Sequence, residues 1–339
     1  MKLAGTATRF RGLILGAAAL GALLATSAVT TASAEALRDN WCKGVKIRFF
    51  VGGAEGDAFG TIVYNGAKQA AADTGADVEY VFSGWQLEKM VQQLREAIAS
   101  APAGIAMMGH PGPAAIMPLA EQAAAAGIKM EYQNVDVPDV RAKFGGGYVG
   151  ANLDPQGRAL GEQAIKQFGL KAGDTALIIA DWSQENRVIR EGATAKAFED
   201  AGLKVVKLNS TPEMAGDPNL AIPVISAGLL ANPEAKLIAY PGGQMLGNAP
   251  VYMQTVGKKP GEIANIGFDT SPQIVSAFKD GWVQLTSDQQ PFLQGYIPIL
   301  SLCGQIVYGL GPLNVDTGAG FVTPDNYKAV ADLATEGLR

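Results

Sequence analysis

Short apolar runs alternate with longer stretches of helical period along most of this chain. Residues 46–51 (K-I-R-F-F-V) are rich in β-forming side chains and are cut off by Gly52-Gly53. Residues 58–72 then carry Ile62, Gly66 and Ala70 on one helical face, and 78–82 repeat the strand pattern. Residues 87–99 align Met90, Leu94, Ala97 and Ile98 in an apolar stripe. Residues 105–108, 114–126 and 128–132 continue as strand, helix and strand.

A glycine run, Gly145-Gly146-Gly147, interrupts this series near Tyr148, and a second one follows. Strands are predicted at 176–180, 205–208, 237–240 and 263–267, with helices at 156–168, 188–201, 218–230 and 244–256. Turn chemistry precedes each helix: Asp154-Pro155, Ser183, Gly216-Asp217-Pro218 and Gly242-Gly243. Strand–helix repeats of this kind predict parallel sheets covered by helices on both faces. The expected fold is α/β, with two similar doubly wound parallel-sheet lobes. Open sheets bind ligands beyond the carboxyl ends of their strands, so two such edges facing each other enclose a cleft.

Composition narrows the function. The chain has 339 residues, 48% of them hydrophobic and 17% charged, as expected of two folded domains rather than a disordered chain. Residues 1–34 read as a cleavable signal peptide. Lys2, Arg9 and Arg11 form a basic start, residues 12–24 an apolar core too short to span a bilayer, and Ala32-Ser33-Ala34 a small-residue cleavage site. The expected location is therefore the periplasm. Cleavage removes three positive charges and takes the formal net charge from −5 to −8, a balance that predicts no nucleic-acid partner. Two cysteines, Cys42 and Cys303, remain. In an exported chain they fit either a disulfide or two buried thiols.

The segment Ile266-Gly267-Phe268-Asp269-Thr270-Ser271-Pro272 resembles the strand-end G-F-D-x-x-P of the ribose-binding-protein family of type I periplasmic binding proteins. That family supplies the substrate-binding component of ABC importers, and the resemblance extends over nearly all of the chain beyond residue 34. It implies that Asp269 meets sugar hydroxyls and that Gln289, before a Pro-led helix, places an amide in the cleft. Gly52 to Phe59 is similar to the loop after the family's first strand, which implies ligand roles for Asp57 and Phe59. Asn186 to Gly192 is similar to the helix start that carries a ligand-facing arginine; Arg190 aligns best, and Arg187 also fits. Met214 falls where relatives carry an aromatic ring. The chain departs from the family in having Gln133-Asn134 where Asp-Arg is common. It also has Gly242-Gly243-Gln244-Met245-Leu246 where N-D-x-M-A is common, without that Asn.

The resemblance further implies three crossover segments, near residues 150–152, 288–291 and 315–320. Residues 35–150 plus 291–315 would form the N-terminal lobe, and 151–290 plus 316–339 the C-terminal lobe. The helix expected at 292–310 would return to the first lobe and bring Cys303 towards Cys42.

A sugar offers a rim of hydroxyls and weakly apolar faces, so its site needs carboxylates, amides and arginines together with aromatic rings. The candidate ligand residues are Asp57, Phe59, Asn134, Trp182, Arg190, Met214, Asp269 and Gln289. Most also have a structural reading. Asp269 could cap a helix, Asp57 and Asn134 are turn formers, and Phe59 and Trp182 could be core aromatics. Trp85 and Trp282 have weaker claims. His110, the one histidine, ends a strand and could line the cleft mouth; its expected role is local hydrogen bonding.

No G-x-S-x-G occurs, and one histidine with two dispersed cysteines builds no metal site, so no cofactor is expected. An exported carbohydrate-active enzyme and a sensory binding protein are the competing readings. The expected function is a monomeric ABC-importer binding protein that delivers a monosaccharide or sugar-like polyol to an inner-membrane permease.

Overall fold

The computed structural model describes residues 39–184, 187–318 and 320–339. The signal-peptide reading lies outside the described residues. The first lobe begins with β1 (Lys46–Phe50), α1 (Ala58–Thr74), β2 (Asp77–Val81), α2 (Leu87–Ala99) and β3 (Gly104–Met108). It continues with α3 (Gly112–Ala125), β4 (Lys129–Gln133), α4 (Pro138–Phe144) and β5 (Gly147–Gly150).

The chain then crosses into α5 (Leu153–Phe168), β6 (Thr175–Ala180), α6 (Ile189–Asp200), β7 (Lys204–Asn209), α7 (Pro212–Gly216), α8 (Ile222–Ala231) and β8 (Leu237–Ala239). Next come α9 (Gly243–Gly247), α10 (Ala249–Thr255), β9 (Ala264–Phe268), α11 (Pro272–Lys279) and β10 (Leu285–Ser287). Helix α12 (Pro291–Tyr308) returns to the first lobe and leads to β11 (Asn314–Asp316). Strand β12 (Phe321–Val322) and α13 (Lys328–Thr335) end the chain in the second lobe.

The two six-stranded sheets run β11-β5-β4-β3-β1-β2 and β12-β10-β9-β8-β6-β7. Every pairing is parallel except β10 with β12. Such strands are buried on both faces, and apolar residues accordingly cover each sheet on two sides. Phe50, Ile105, Met107 and Tyr132 pack on one face of the first sheet, with Ile47, Phe49, Ala106 and Met108 on the other. Leu177, Ile179 and Ile238 face one way in the second sheet, and Ile178, Ile266 and Phe268 the other.

Three differences from the sequence-based expectation have local causes. Strand β5 hides behind the glycine run because Gly147 has a structural task. A Cβ there would collide with the Leu313 carbonyl, so only glycine lets β11 lie alongside. The expected helix at 244–256 is two helices, broken at Asn248 with Pro250 in the first turn of the second. The short strands β10, β11 and β12 carry too few residues for periodicity to reveal them.

Cys42, ahead of β1, and Cys303, in α12, form a disulfide that ties the returning helix to the start of the lobe. Helix α12 crosses α1 at direct backbone contact: a Cβ on Gly66 would meet the Phe292 carbonyl, and one on Gly295 the Val63 carbonyl. The second lobe repeats the device. A Cβ on Gly157 of α5 would meet the Arg190 carbonyl of α6. Beneath α12, Glu131 of β4 is fully buried; its Oε1 accepts from Ser301 Oγ and from Gln305 Nε2 at 2.7 Å.

Candidate functional site

The carboxyl ends of the central strands of both sheets face one cavity of about 840 Å³, counting its open mouth. After β1 the chain turns through Gly52, at φ +90°, where a Cβ would strike Trp85 and Met108. It then starts α1 with Asp57 as N-cap, whose Oδ1 accepts from Gly60 N at 2.6 Å. The second Asp57 oxygen accepts from Trp85 Nε1 at 2.9 Å. Phe59 and Trp85 lie with ring centroids 5.9 Å apart, and Trp85 and His110 at 5.4 Å. These rings form an aromatic wall on the first lobe, while Asn134 follows β4 in the left-handed region (φ 63°).

The second lobe supplies the charged wall. Arg190, on the first turn of α6, donates from Nη2 to the Pro241 carbonyl at 2.6 Å, and its guanidinium lies 3.8 Å from the Phe268 ring centre. Arg187 holds both oxygens of Glu191, at 3.0 and 3.2 Å. Burial pushes Glu191 upward, but Arg187 and Arg190 together bring its carboxyl below the usual range. Asp269, after β9 at φ 76°, accepts from Gly243 N at 2.9 Å and from Gln289 Nε2 at 2.5 Å. Gln289 Oε1 in turn accepts from Asn134 Nδ2 at 3.2 Å. Gln244 Nε2 reaches across the cavity to Asp57 Oδ2 at 2.6 Å, joining the two lobes. Burial raises Asp57 above the ordinary carboxylate range.

Six of the eight residues singled out from the sequence therefore line one cavity: Asp57, Phe59, Asn134, Arg190, Asp269 and Gln289. Trp182 and Met214 do not. Trp182 packs half-buried against the second-lobe core, donates Nε1 to the Leu208 carbonyl at 2.9 Å and lies beneath Lys207 Nζ, while Asp181 takes the wall position. Met214 packs into the second-lobe core because α7 presents Pro212 and Ala215, three residues apart, to the cavity.

Sequence reasoning undervalued Trp85, Arg187 and Gln244, which lie in the segments that follow β2, β6 and β8. The Gly242-Gly243-Gln244 segment, which lacks the family's Asn, still delivers an amide to the cavity. His110 also departs from expectation: it is 4% exposed, and neither ring nitrogen has a hydrogen-bond partner among the described residues.

What this wall can do is bind a neutral polar molecule. Acceptors (Asp57, Asp269), fork donors (Arg187, Arg190) and amides (Asn134, Gln244, Gln289) surround it, and the rings offer an apolar face. Among the described residues, no cluster of His, Cys, Asp and Glu could hold a metal ion.

Comparison with known proteins gives three concordant findings. A family model described as a periplasmic binding protein domain matches residues 47–307. A xylose/arabinose-binding protein of Sulfolobus acidocaldarius is 28% identical over 270 residues; the match covers 74% of this chain but only 64% of that relative's length. Among solved structures, a carbohydrate transporter from Acidothermus cellulolyticus 11B in complex with myo-inositol superposes with TM-score 0.76 and 25% identity, covering 87% of this chain and 99% of that one. An ABC-transporter solute-binding protein from Burkholderia graminis C4D1M in complex with D-arabinose gives TM-score 0.74 at 24% identity, covering 84% and 97%, which shows the shared fold.

Proposed function

The chain belongs to the periplasmic binding protein family, and from that premise we propose that it is the solute-binding component of an ABC importer. In this reading it is exported to the periplasm, captures a monosaccharide or sugar-like polyol between its lobes, and presents the closed form to a permease. It binds without turnover.

The observation that carries the reading is the cavity itself. Seven hydroxyl-seeking side chains, from the segments after β1, β4, β6, β8, β9 and β10, converge there around an aromatic wall. Pentoses and inositol are the first ligands to test, because relatives of the same fold are described with arabinose, xylose or myo-inositol.

The test is calorimetric titration of the protein with D-arabinose, L-arabinose, D-xylose, D-ribose and myo-inositol. One or more should bind at about micromolar Kd, some −8 kcal/mol. Asp269→Asn should weaken that ligand by about 30-fold or more. It replaces one of the two acceptor oxygens by an amide donor, so either Gly243 N or Gln289 Nε2 meets a donor and the charged acceptor for ligand hydroxyls is lost. Absence of binding across the panel would overturn the assignment.

A further inference from the structure

We infer that His110 is a specificity-determining contact, a neutral imidazole that reads ligand hydroxyls with one ring nitrogen donating and the other accepting. The inference rests on the sugar reading of the cavity and adds a contact to it at the end of β3.

Buried polar groups in folded proteins are almost always hydrogen-bonded, so an exception calls for a reason. His110 is such an exception twice over, since Nδ1 and Nε2 both lack partners among the described residues although the ring is 4% exposed. The ring is not packed away in a core. It lines the cavity and rests at 5.4 Å on Trp85, whose own Nε1 is committed to Asp57.

Its charge state follows from its surroundings. Burial, with Arg187 and Arg190 facing it, holds its pKa well below the usual value, so at neutral pH it carries one proton. A neutral imidazole is one donor and one acceptor. The other groups around the cavity are specialised: the carboxylates Asp57 and Asp269 accept, and Arg187 and Arg190 only donate. A ligand satisfying His110 must offer a hydroxyl that donates and an oxygen that accepts on the face turned to the first lobe. Two neighbouring hydroxyls, or a hydroxyl beside a ring oxygen, meet that need. An analogue deoxygenated there does not.

The experiment uses the tightest-binding member of the sugar panel, its single-deoxy analogues, and His110→Phe and His110→Gln. His110→Phe keeps the stacking partner for Trp85 and removes both polar atoms. It should lose at least tenfold in affinity, and His110→Gln, which restores a donor and an acceptor, should recover most of it. One deoxy analogue should bind wild type and His110→Phe with equal affinity, the signature of a removed pairwise contact. Because His110 is the one histidine, its ring nitrogens can be followed by 15N NMR in the wild-type protein, without any variant. Both resonances should move on saturation.

Sugar binding by wild type with His110→Phe within twofold of it would overturn this inference alone, as would unmoved ring resonances at saturation. Failure of wild type to bind any panel member would overturn the sugar reading and this inference with it.

Discussion

A buried carboxyl away from the cavity gives the clearest single-residue test of the fold. Glu131 lies under α12, and burial pushes its pKa up to about 7 against 4.5 for an exposed glutamate, despite the donors Ser301 and Gln305. The folded protein therefore holds a proton that the unfolded chain releases between pH 4.5 and 7. Stability from this group is fully present below pH 4.5 and declines as pH rises to about 7. The decline amounts to about 2–4 kcal/mol. His110 acts with the opposite sign, since the unfolded chain gains a proton below its ordinary pKa and the buried ring does not. The raw stability profile mixes the two, so the quantity to measure is the difference between wild type and Glu131→Gln. In urea titrations that difference should change steadily between pH 4.5 and 7 and level off on either side. A constant difference would show that Glu131 does not titrate there.

At the scale of elements, the two lobes use one packing device for different ends. Gly66 and Gly295 bring α1 and α12 to backbone contact around the disulfide-linked half of the first lobe, whereas Gly157 brings α5 against the carbonyl of Arg190 itself. A methyl group at either place must push helices apart, at a cost of about 1–3 kcal/mol. The functional outcomes differ. Gly157→Ala displaces the backbone that carries Arg190 and should weaken ligand binding by about tenfold or more. Gly66→Ala should lower the melting temperature comparably and leave affinity within about threefold, as paired calorimetry and thermal melts would show. The same contrast marks what was legible beforehand. Central strands such as β3 and β6 declare themselves as continuous apolar runs because both of their faces are buried. Strand β5 is written in glycines, and its reason, the nearness of Leu313, lies 166 residues further on.

For the whole molecule, strand ends were readable as site positions, but the direction of a side chain was not. Asp269 follows from where open sheets bind, whereas Arg190 and Asp57 follow from the resemblance to the ribose-binding-protein family. Trp182 packs against the core instead of the cavity, and Gln244, in a segment without the family's Asn, reaches the cavity; neither direction is written in the residue type. Gln244 matters most at this scale. The three crossovers are tied laterally, Asn152 Nδ2 to Asp316 at 2.7 Å and Gln290 Nε2 to the Thr317 carbonyl at 3.0 Å, so they are held side by side. Across the cavity, Gln244 and Asp57 close the lobes by a direct bond. A bond between lobes biases the open–closed equilibrium in addition to any contact its members make with the ligand, and apparent affinity scales with the fraction closed. Gln244→Ala should therefore enlarge the ligand-free protein in small-angle scattering and leave the saturated form unchanged in size. It should also weaken affinity, by about tenfold, because the cavity loses both the lobe-to-lobe bond and an amide that lines it. Asp269→Asn should do the reverse, weakening affinity more while leaving the ligand-free dimensions alone. Identical scattering from wild type and Gln244→Ala without ligand would mean that the crossovers alone set the closure.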